Sequence, residues 1–204
     1  MYNNAGKRKK VKLSEMIQYP NGKKDVWQPK LHSAGQRGMN LEKDLNTTNA
    51  YYLGQDIAVI HKKPTPVQIV HVDYPRREAA KITEAYFKVP STTDYNGIYK
   101  GRYIDFEAKE CQAKTSFPLK MLFAHQITHL KSVVRHGGIA FLVVRFTSME
   151  VTFLADAEKV ALFNENGGRA SIPYSWFLEH AYPIDGSYAK PVDYLKVVDK
   201  IYLQ

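Results

Sequence analysis

The sequence has a single cysteine, Cys111, so no disulfide can form within the chain. A chain without disulfides is typical of a reducing compartment. Long apolar stretches are also missing: residues 139–144 form an obvious apolar run, far short of the roughly 20 residues that cross a bilayer. The first ten residues are polar and basic and lack the apolar core of a signal peptide. These absences predict a cytoplasmic protein that is not held in a membrane.

Acidic residues are scarce relative to basic ones. The 204 residues include 20 Asp and Glu against 29 Lys and Arg, which gives a net charge of +9. The excess lies in residues 1–37 (nine basic, two acidic) and residues 62–81 (five basic, two acidic). Basic charge confined to two segments of an otherwise nearly neutral chain favours docking onto a polyanion such as nucleic acid. The alternative is a solubilising tail and a solvated loop.

The composition otherwise predicts an ordinary globular domain, with 44% hydrophobic and 24% charged residues. Residues 1–35 are rich in Lys, Asn, Gly and Pro, which predicts a flexible basic arm. Residues 36–204 then form the main domain. Within it, Pro64 and Pro66 cannot lie in a central strand. Residues 61–87 therefore read as a projecting, stalk-like insert that carries much of the positive charge.

Local patterns predict an alternation of helices and strands. A helix begins near Gly38, and a second helix begins around Ser116 as N-cap and ends at Gly137. The apolar stripe of this second helix would comprise Leu119, Leu122, Phe123, Leu130 and Val133. Strands are predicted at 57–61, 67–72, 139–146 and 150–154, and further helices near 155–165, 174–180 and 192–203. This order predicts an α/β fold with a central mixed sheet flanked by helices.

A predicted hairpin at residues 92–110 carries the most informative chemistry. If Lys100 and Gly101 form a two-residue turn, Asp94 lies opposite Glu107. Strand alternation then sets Thr92 and Lys109 on the same face. Two opposed carboxylates repel each other unless a cation lies between them or one is protonated. A hard cation such as Mg²⁺ prefers such oxygen ligands. The alternative is an exposed hairpin on which Lys109 simply pairs with a carboxylate.

Several strings in the sequence resemble a known family. Asp94, followed thirteen residues later by Glu107-Ala108-Lys109, is similar to the PD-(D/E)xK nuclease motif, although Thr93 replaces its proline. Longer strings resemble the RecU Holliday junction resolvases: QRGMNLE at 36–42, IHKKPTPVQIV at 60–70, PSTTDYNG at 90–97 and YIDFEAKE at 103–110. The resemblance implies a restriction-endonuclease-like fold and a homodimer that cuts four-way DNA junctions symmetrically in recombination and repair.

The resemblance also implies roles for individual residues. It assigns the metal, Mg²⁺ with Mn²⁺ as a substitute, to Thr92, Asp94, Glu107 and Gln126. It assigns transition-state stabilisation to Lys109, and Glu42 matches an acidic residue that points toward the metals in related nucleases. The family further suggests the RecA recombinase and branch-migration proteins as partners. From the pattern alone, Gln126 is equally a polar residue at the edge of an apolar stripe.

Other residues remain candidates with open alternatives. The positive residues predicted to contact DNA phosphates are Arg37, Lys62, Lys63, Arg76, Arg77 and Lys81. Tyr74, Tyr86 and Phe87 would stack on bases or pack in a core. Asp105 shares the hairpin face of Glu107, and His125 and His129 have a spacing that suits zinc but lack further ligands. Two other functions fit these features: a nuclease acting on duplex DNA, and a non-catalytic DNA-binding protein that modulates a recombinase.

Overall fold

A computed structural model describes residues 40–88, 92–166 and 168–203. The predicted basic arm and Arg37 lie outside these residues. The described chain falls into two compact units, residues 67–88 and the remaining residues, which are called the body below. Each unit is described separately.

The helices of the body are α1 (Leu41–Gly54), α2 (Ala124–Arg135), α3 (Ala157–Glu165), α4 (Tyr174–His180) and α5 (Tyr194–Tyr202). Its strands are β1 (Val59–Lys62), β4 (Tyr95–Tyr99), β5 (Arg102–Cys111), β6 (Ser116–Pro118), β7 (Ile139–Phe146), β8 (Val151–Asp156), β9 (Ser171–Pro173) and β10 (Tyr182–Pro183). The other unit contains β2 (Val67–Asp73) and β3 (Lys81–Phe87), with a short 3₁₀ turn at Arg77–Ala79 between them.

A six-stranded mixed sheet forms the centre of the described body, in the order β1-β4-β5-β7-β8-β10. Strands β5 and β7 run parallel, and the other neighbours are antiparallel. The helix that connects the parallel pair is α2, as expected for a crossover connection. The predicted mixed sheet flanked by helices is confirmed.

Alternation along β7 divides the core into two layers. All eight residues of β7 are buried, as predicted. Phe141 and its i±2 neighbours pack with residues of α1 and α5, whereas Leu142 and its neighbours pack with residues of α2, α3 and α4. Strand side chains point to opposite faces in turn, so one apolar strand serves both layers.

The hairpin β4–β5 has the register predicted from the sequence. Tyr99 is opposite Arg102 and Tyr95 is opposite Phe106. Lys100 and Gly101 both have positive φ, at 47° and 73°, which is the backbone of a two-residue turn matched to the strand twist. The core face of the hairpin carries Tyr95, Ile104 and Phe106, each at most 1% exposed.

The predicted beginning of the second helix was wrong. Residues 116–118 form β6, which pairs with β9, and α2 starts only at Ala124. The completely buried Phe117 is directly opposite the equally buried Ile172. The burial of these two side chains outweighs the local cap-and-proline pattern. The predicted helical stripe was therefore wrong for Leu119, Leu122 and Phe123, which all precede α2, and Phe123 is 58% exposed.

Residues 67–88 form a two-stranded antiparallel hairpin, called the hairpin unit below. Both strands are exposed along their whole length, with register shifts between Ile69 and Val72. Tyr74, Tyr86 and Phe87 are 62%, 61% and 83% exposed, so these rings do not pack in a core.

None of the helices in the described part of the chain is long and apolar enough to span a membrane. Cys111 is buried, with Sγ 3.5 Å from the carbonyl oxygen of Ser116.

Candidate active site

Glu107 lies at the centre of a polar group on the face of β5 that α2 covers. Its side chain is completely buried. The Oε1 atom accepts hydrogen bonds from Lys109 Nζ at 2.5 Å and from Gln126 Nε2 at 2.7 Å. Strand alternation aligns Glu107 with Lys109, and the first turn of α2 presents Gln126 to them.

The second oxygen of Glu107 is not satisfied. Oε2 is buried and has no hydrogen-bond partner among the described residues. The pKa of Glu107 is raised to about 7. Burial is the main cause, the negative charge of Asp94 adds to the rise, and Lys109 opposes it. A buried polar atom without a partner is costly and calls for a ligand, a proton or an ion.

Asp94 lies next to Glu107, as the hairpin register predicts. Its Oδ2 accepts the backbone N–H of Ala108 at 3.1 Å, and its negative charge raises the pKa of Glu107. Asp94 precedes the first residue of β4, so it lies just beyond the regular ladder. Thr92 is two residues earlier and half-buried.

Gln126 links the beginning of α2 to this carboxylate. Its Oε1 accepts the backbone N–H of Phe123 at 3.0 Å, while its Nε2 donates to Glu107. The two bonds fix the orientation of the amide, because the backbone N–H requires an acceptor and the carboxylate requires a donor. In this structure Gln126 therefore caps the helix and orients Glu107.

A second buried carboxylate, Asp105, lies two residues before Glu107 on the same face of β5. Its side chain is completely buried. The side chains that bind it, among the described residues, are Lys63 (2.8 Å), Tyr103 (2.7 Å), His129 (3.1 Å) and Thr93. Burial raises the pKa of Asp105, but these hydrogen bonds outweigh it and lower the pKa below its usual value. The sequence showed the position of Asp105 but not this network.

Two of the predicted phosphate-binding lysines contact carboxylates. Lys62 Nζ is 2.5 Å from Glu42 Oε1 in a partly exposed ion pair. Lys63 is the partner of the buried Asp105, and its side chain is only 18% exposed. Arg76, Arg77 and Lys81 are exposed in the hairpin unit.

The two histidines of α2 take separate positions. His129 faces Asp105, whereas Nε2 of His125 is buried without a hydrogen-bond partner among the described residues. The described residues contain no group of three or more His, Cys, Asp or Glu side chains arranged to hold a metal.

A divalent cation with oxygen ligands fits the Asp94–Glu107 pair. The unsatisfied Oε2 of Glu107 would supply one ligand oxygen, and the adjacent Asp94 would supply another. Mg²⁺ commonly binds through one or two carboxylates and keeps several waters, so a group of three protein anions is not required. Thr92, two residues before Asp94 in the chain, would be a further source of an oxygen ligand.

This arrangement belongs to a recognisable class of site. A carboxylate pair on a hairpin of a mixed sheet, with a lysine two residues after the second carboxylate, is similar to the sites of PD-(D/E)xK nucleases. The chain belongs to the RecU family: the family described as "Recombination protein U" matches residues 36–200.

Two relatives from Bacillus support this membership. Proteins named "Holliday junction resolvase RecU" from Bacillus thuringiensis (strain Al Hakam) and Bacillus cereus (strain AH820) are each 51% identical over 196 residues, covering 91% of this chain and 98% of the relative. A solved structure, the Holliday junction resolvase Hjc of Archaeoglobus fulgidus, aligns with a TM-score of 0.36 at 10% identity, covering 74% of this chain and 88% of that one.

Proposed function

We propose that this protein is an endonuclease that resolves Holliday junctions by divalent-metal-dependent hydrolysis of phosphodiester bonds, with Mg²⁺ as the metal and Mn²⁺ as a substitute. The observation that carries the proposal is the Asp94–Glu107 pair, in which Glu107 is completely buried and its Oε2 lacks a partner among the described residues. Membership in the RecU family supports the four-way junction as the substrate.

The residues of the site would divide the work. Asp94 and Glu107 supply metal oxygens, and Thr92 adds its hydroxyl. A bound divalent cation lowers the pKa of a water and withdraws charge from the scissile phosphate. Lys109, already 2.5 Å from Glu107, orients the attacking water or stabilises the negative charge of the transition state. Departure of the 3′ oxygen leaves 5′-phosphate and 3′-hydroxyl ends.

Gln126 and Glu42 receive supporting roles in this proposal. Gln126 holds one oxygen of Glu107 and leaves the other for the metal. It reaches the metal directly only if its amide leaves the cap of α2. Glu42 forms a partly exposed ion pair with Lys62. It can hold that ammonium near the edge of the sheet, where β1 lies.

The positive surface would bind the junction. Arg76, Arg77 and Lys81 of the hairpin unit are exposed and would contact phosphates. The exposed rings of Tyr74, Tyr86 and Phe87 would stack on bases unpaired at the crossover, since stacking tolerates any base. Arg37, Lys62 and Lys63 are further phosphate-contact candidates from the sequence.

The oligomer and partners follow from the proposed reaction. Two symmetric cuts require two active sites related by a two-fold axis, which favours a homodimer. RecA recombinase and branch-migration proteins are proposed partners on the strength of the family resemblance alone. A recombining chromosome as substrate favours a cytoplasmic location.

A cleavage assay tests the proposal. A synthetic four-way junction and a linear duplex containing the same sequence are incubated with the protein, with and without Mg²⁺, beside the matched variant Glu107→Gln. We expect paired, symmetric nicks in the junction only with Mg²⁺ and only in the parent protein. Equal cutting of the duplex would favour a duplex nuclease, and tight junction binding without cutting would favour a non-catalytic role.

A further inference from the structure

The Asp105 network is more extensive than a simple buried ion pair requires. Four side chains form hydrogen bonds with the carboxylate of Asp105: Lys63, Thr93, Tyr103 and His129. Ordering so many polar groups around one buried charge is costly, and replacing a buried ion pair by apolar residues is often neutral or stabilising. Stability is therefore a weak explanation for the network, and its connections indicate another purpose.

Those connections lead to Asp94. Lys63 donates its backbone N–H to the carbonyl oxygen of Asp94 at 2.7 Å. The ammonium of the same lysine donates to Thr93 Oγ1 at 2.9 Å and to Asp105 Oδ2 at 2.8 Å. Thr93 itself donates to Asp105 Oδ1. The side-chain network thus fixes Thr93, the residue before Asp94, and the backbone of Lys63 holds the carbonyl group of Asp94.

The location of Asp94 makes this fixation important. Asp94 lies just before the regular part of β4, where the backbone bond from Lys63 continues the β1–β4 register by one residue, and the residues before it are outside the strand. Asp105 lies in the middle of β5, two residues from Glu107. A rigid connection from Asp105 through Thr93 and Lys63 therefore fixes Asp94 relative to Glu107.

We propose that Asp105, Thr93 and Lys63 are positioning residues that hold Asp94 beside Glu107 and thereby set the affinity of the site for a divalent cation. The inference rests on the proposed metal-dependent function. It gives Lys63 a different role from phosphate binding: the ammonium is used inside the protein, on a carboxylate and a hydroxyl. Displacement of a ligand by about an ångström is enough to weaken a metal site.

The test measures metal binding directly. Mn²⁺ affinity is determined by electron paramagnetic resonance of free Mn²⁺, without DNA, for the parent and for Thr93→Val, Asp105→Asn and Lys63→Met. Each variant is expected to raise the Mn²⁺ dissociation constant by about 10- to 100-fold, the usual effect of losing a group that orients a ligand. The matched control is Lys131→Met, which removes an equal charge from an ion pair with Glu165 on the surface, and should leave Mn²⁺ affinity unchanged.

Coupling between the residues provides the second measurement. Because Lys63 acts through Asp105, the double variant Lys63→Met/Asp105→Asn should lose no more Mn²⁺ affinity than the stronger single variant. Near-ultraviolet circular dichroism checks the fold, and Thr93→Val, which keeps the Lys63–Asp105 ion pair, decides the matter if another variant unfolds.

The outcomes separate the two proposals. Absence of Mn²⁺ binding to the parent would overturn the metal site itself. Mn²⁺ affinity within about twofold of the parent in the folded Thr93→Val and Asp105→Asn variants would overturn the positioning role alone. If Lys63→Met kept Mn²⁺ affinity but lost junction affinity with a smaller salt slope, Lys63 would be a phosphate-binding residue, and its role here would be wrong.

Discussion

Gln126 Nε2 donates to Glu107 Oε1 at 2.7 Å, and the other end of the same amide accepts the backbone N–H of Phe123. The helix that crosses over between the two parallel strands is thereby bonded to the carboxylate of the proposed metal site. Glu107 Oε1 is occupied from two sides, by Gln126 and Lys109, which leaves Oε2 as the oxygen available to a cation.

Replacing Gln126 tests this link. Gln126→Leu should destabilise the protein by about 1–3 kcal/mol, because the Phe123 N–H and Glu107 Oε1 both lose a buried partner. Urea denaturation measures the loss. Gln126→Glu is the contrasting variant, because it retains the acceptor for the Phe123 N–H but adds a third carboxylate beside Asp94 and Glu107. We expect Gln126→Glu to lose less stability than Gln126→Leu and still to lose cleavage activity. Equal, small effects of both variants on cleavage would contradict an orienting role.

Removing either carboxylate of the pair should stop cleavage while junction binding persists. Asp94→Asn and Glu107→Gln conserve shape but reduce the negative charge available to a cation. Junction affinity without metal should stay the same or increase, since less negative charge faces the phosphates. Gel-shift assays in EDTA and cleavage assays in Mg²⁺ give the two quantities. Cleavage close to the parent rate by either variant would refute the assignment.

Loss of Lys109 should reduce the rate more than binding. Lys109→Met should slow cleavage by about 10²- to 10⁴-fold at saturating Mg²⁺, a typical cost of losing a positioned catalytic group. Lys109 also lowers the pKa of Glu107, so the variant should need a higher pH to reach its maximum. Single-turnover rates across pH separate the two effects. If Lys109→Met cleaved at the parent rate at high pH and saturating metal, the role of Lys109 would be only to lower the pKa of Glu107.

Glu107 predicts a specific pH dependence of stability in metal-free protein. Its pKa is about 7 in the folded protein against an ordinary 4.5. The unfolded chain releases this proton first as pH rises, so the contribution of Glu107 to folding stability falls between about pH 4.5 and 7. Glu107→Gln should therefore gain thermal stability relative to the parent over that range. Differential scanning calorimetry at about pH 5 and pH 8, on either side of this range, measures the gain. Mg²⁺ at the higher pH should raise Tm of the parent but not of the variant.

The hairpin unit should carry junction selectivity. Arg76→Gln, Arg77→Gln and Lys81→Gln together should weaken junction binding, and the log–log salt slope should fall by roughly 0.9 for each phosphate on the duplex arms that the variant no longer neutralises. Selectivity for the junction over linear duplex should fall as well. Deleting residues 1–30 removes eight basic and two acidic residues, a larger net positive charge, and should weaken binding to both DNAs alike. The reverse pattern, with selectivity lost only on deleting the arm, would contradict this role.

The sequence predicted the chemistry of the hairpin better than the position of the helix opposite it. The turn at Lys100-Gly101 is local, so its geometry sets the register that brings Asp94 to Glu107. The position at which α2 begins depends on a distant contact. Phe117 is extended because it pairs with Ile172, 55 residues further along the chain. No pattern within residues 115–123 contains that information.

Lys63 illustrates a second limit of sequence patterns. A lysine in a basic segment predicts a phosphate contact, and whether it instead neutralises a buried carboxylate depends on strand pairing. The pairing of β1 with β4 brings Lys63 to the backbone of Asp94 and to Asp105, 42 residues away. The assignment of Lys62 and Lys63 to DNA therefore stays a prediction, although their carboxylate contacts are now known.

The two bonds between α2 and β5 also bear on where the chain tolerates a change of length. Gln126 and His129 are three residues apart on the helix and reach Glu107 and Asp105, which are two residues apart on the strand. One residue inserted between the two helix positions would rotate them relative to each other by about 100°, so only one of the carboxylates would keep its hydrogen bond to α2. Insertions and deletions during the divergence of such proteins should therefore accumulate outside the four-residue interval from Gln126 to His129. The constant length of this interval makes it a reference point for aligning distant sequences.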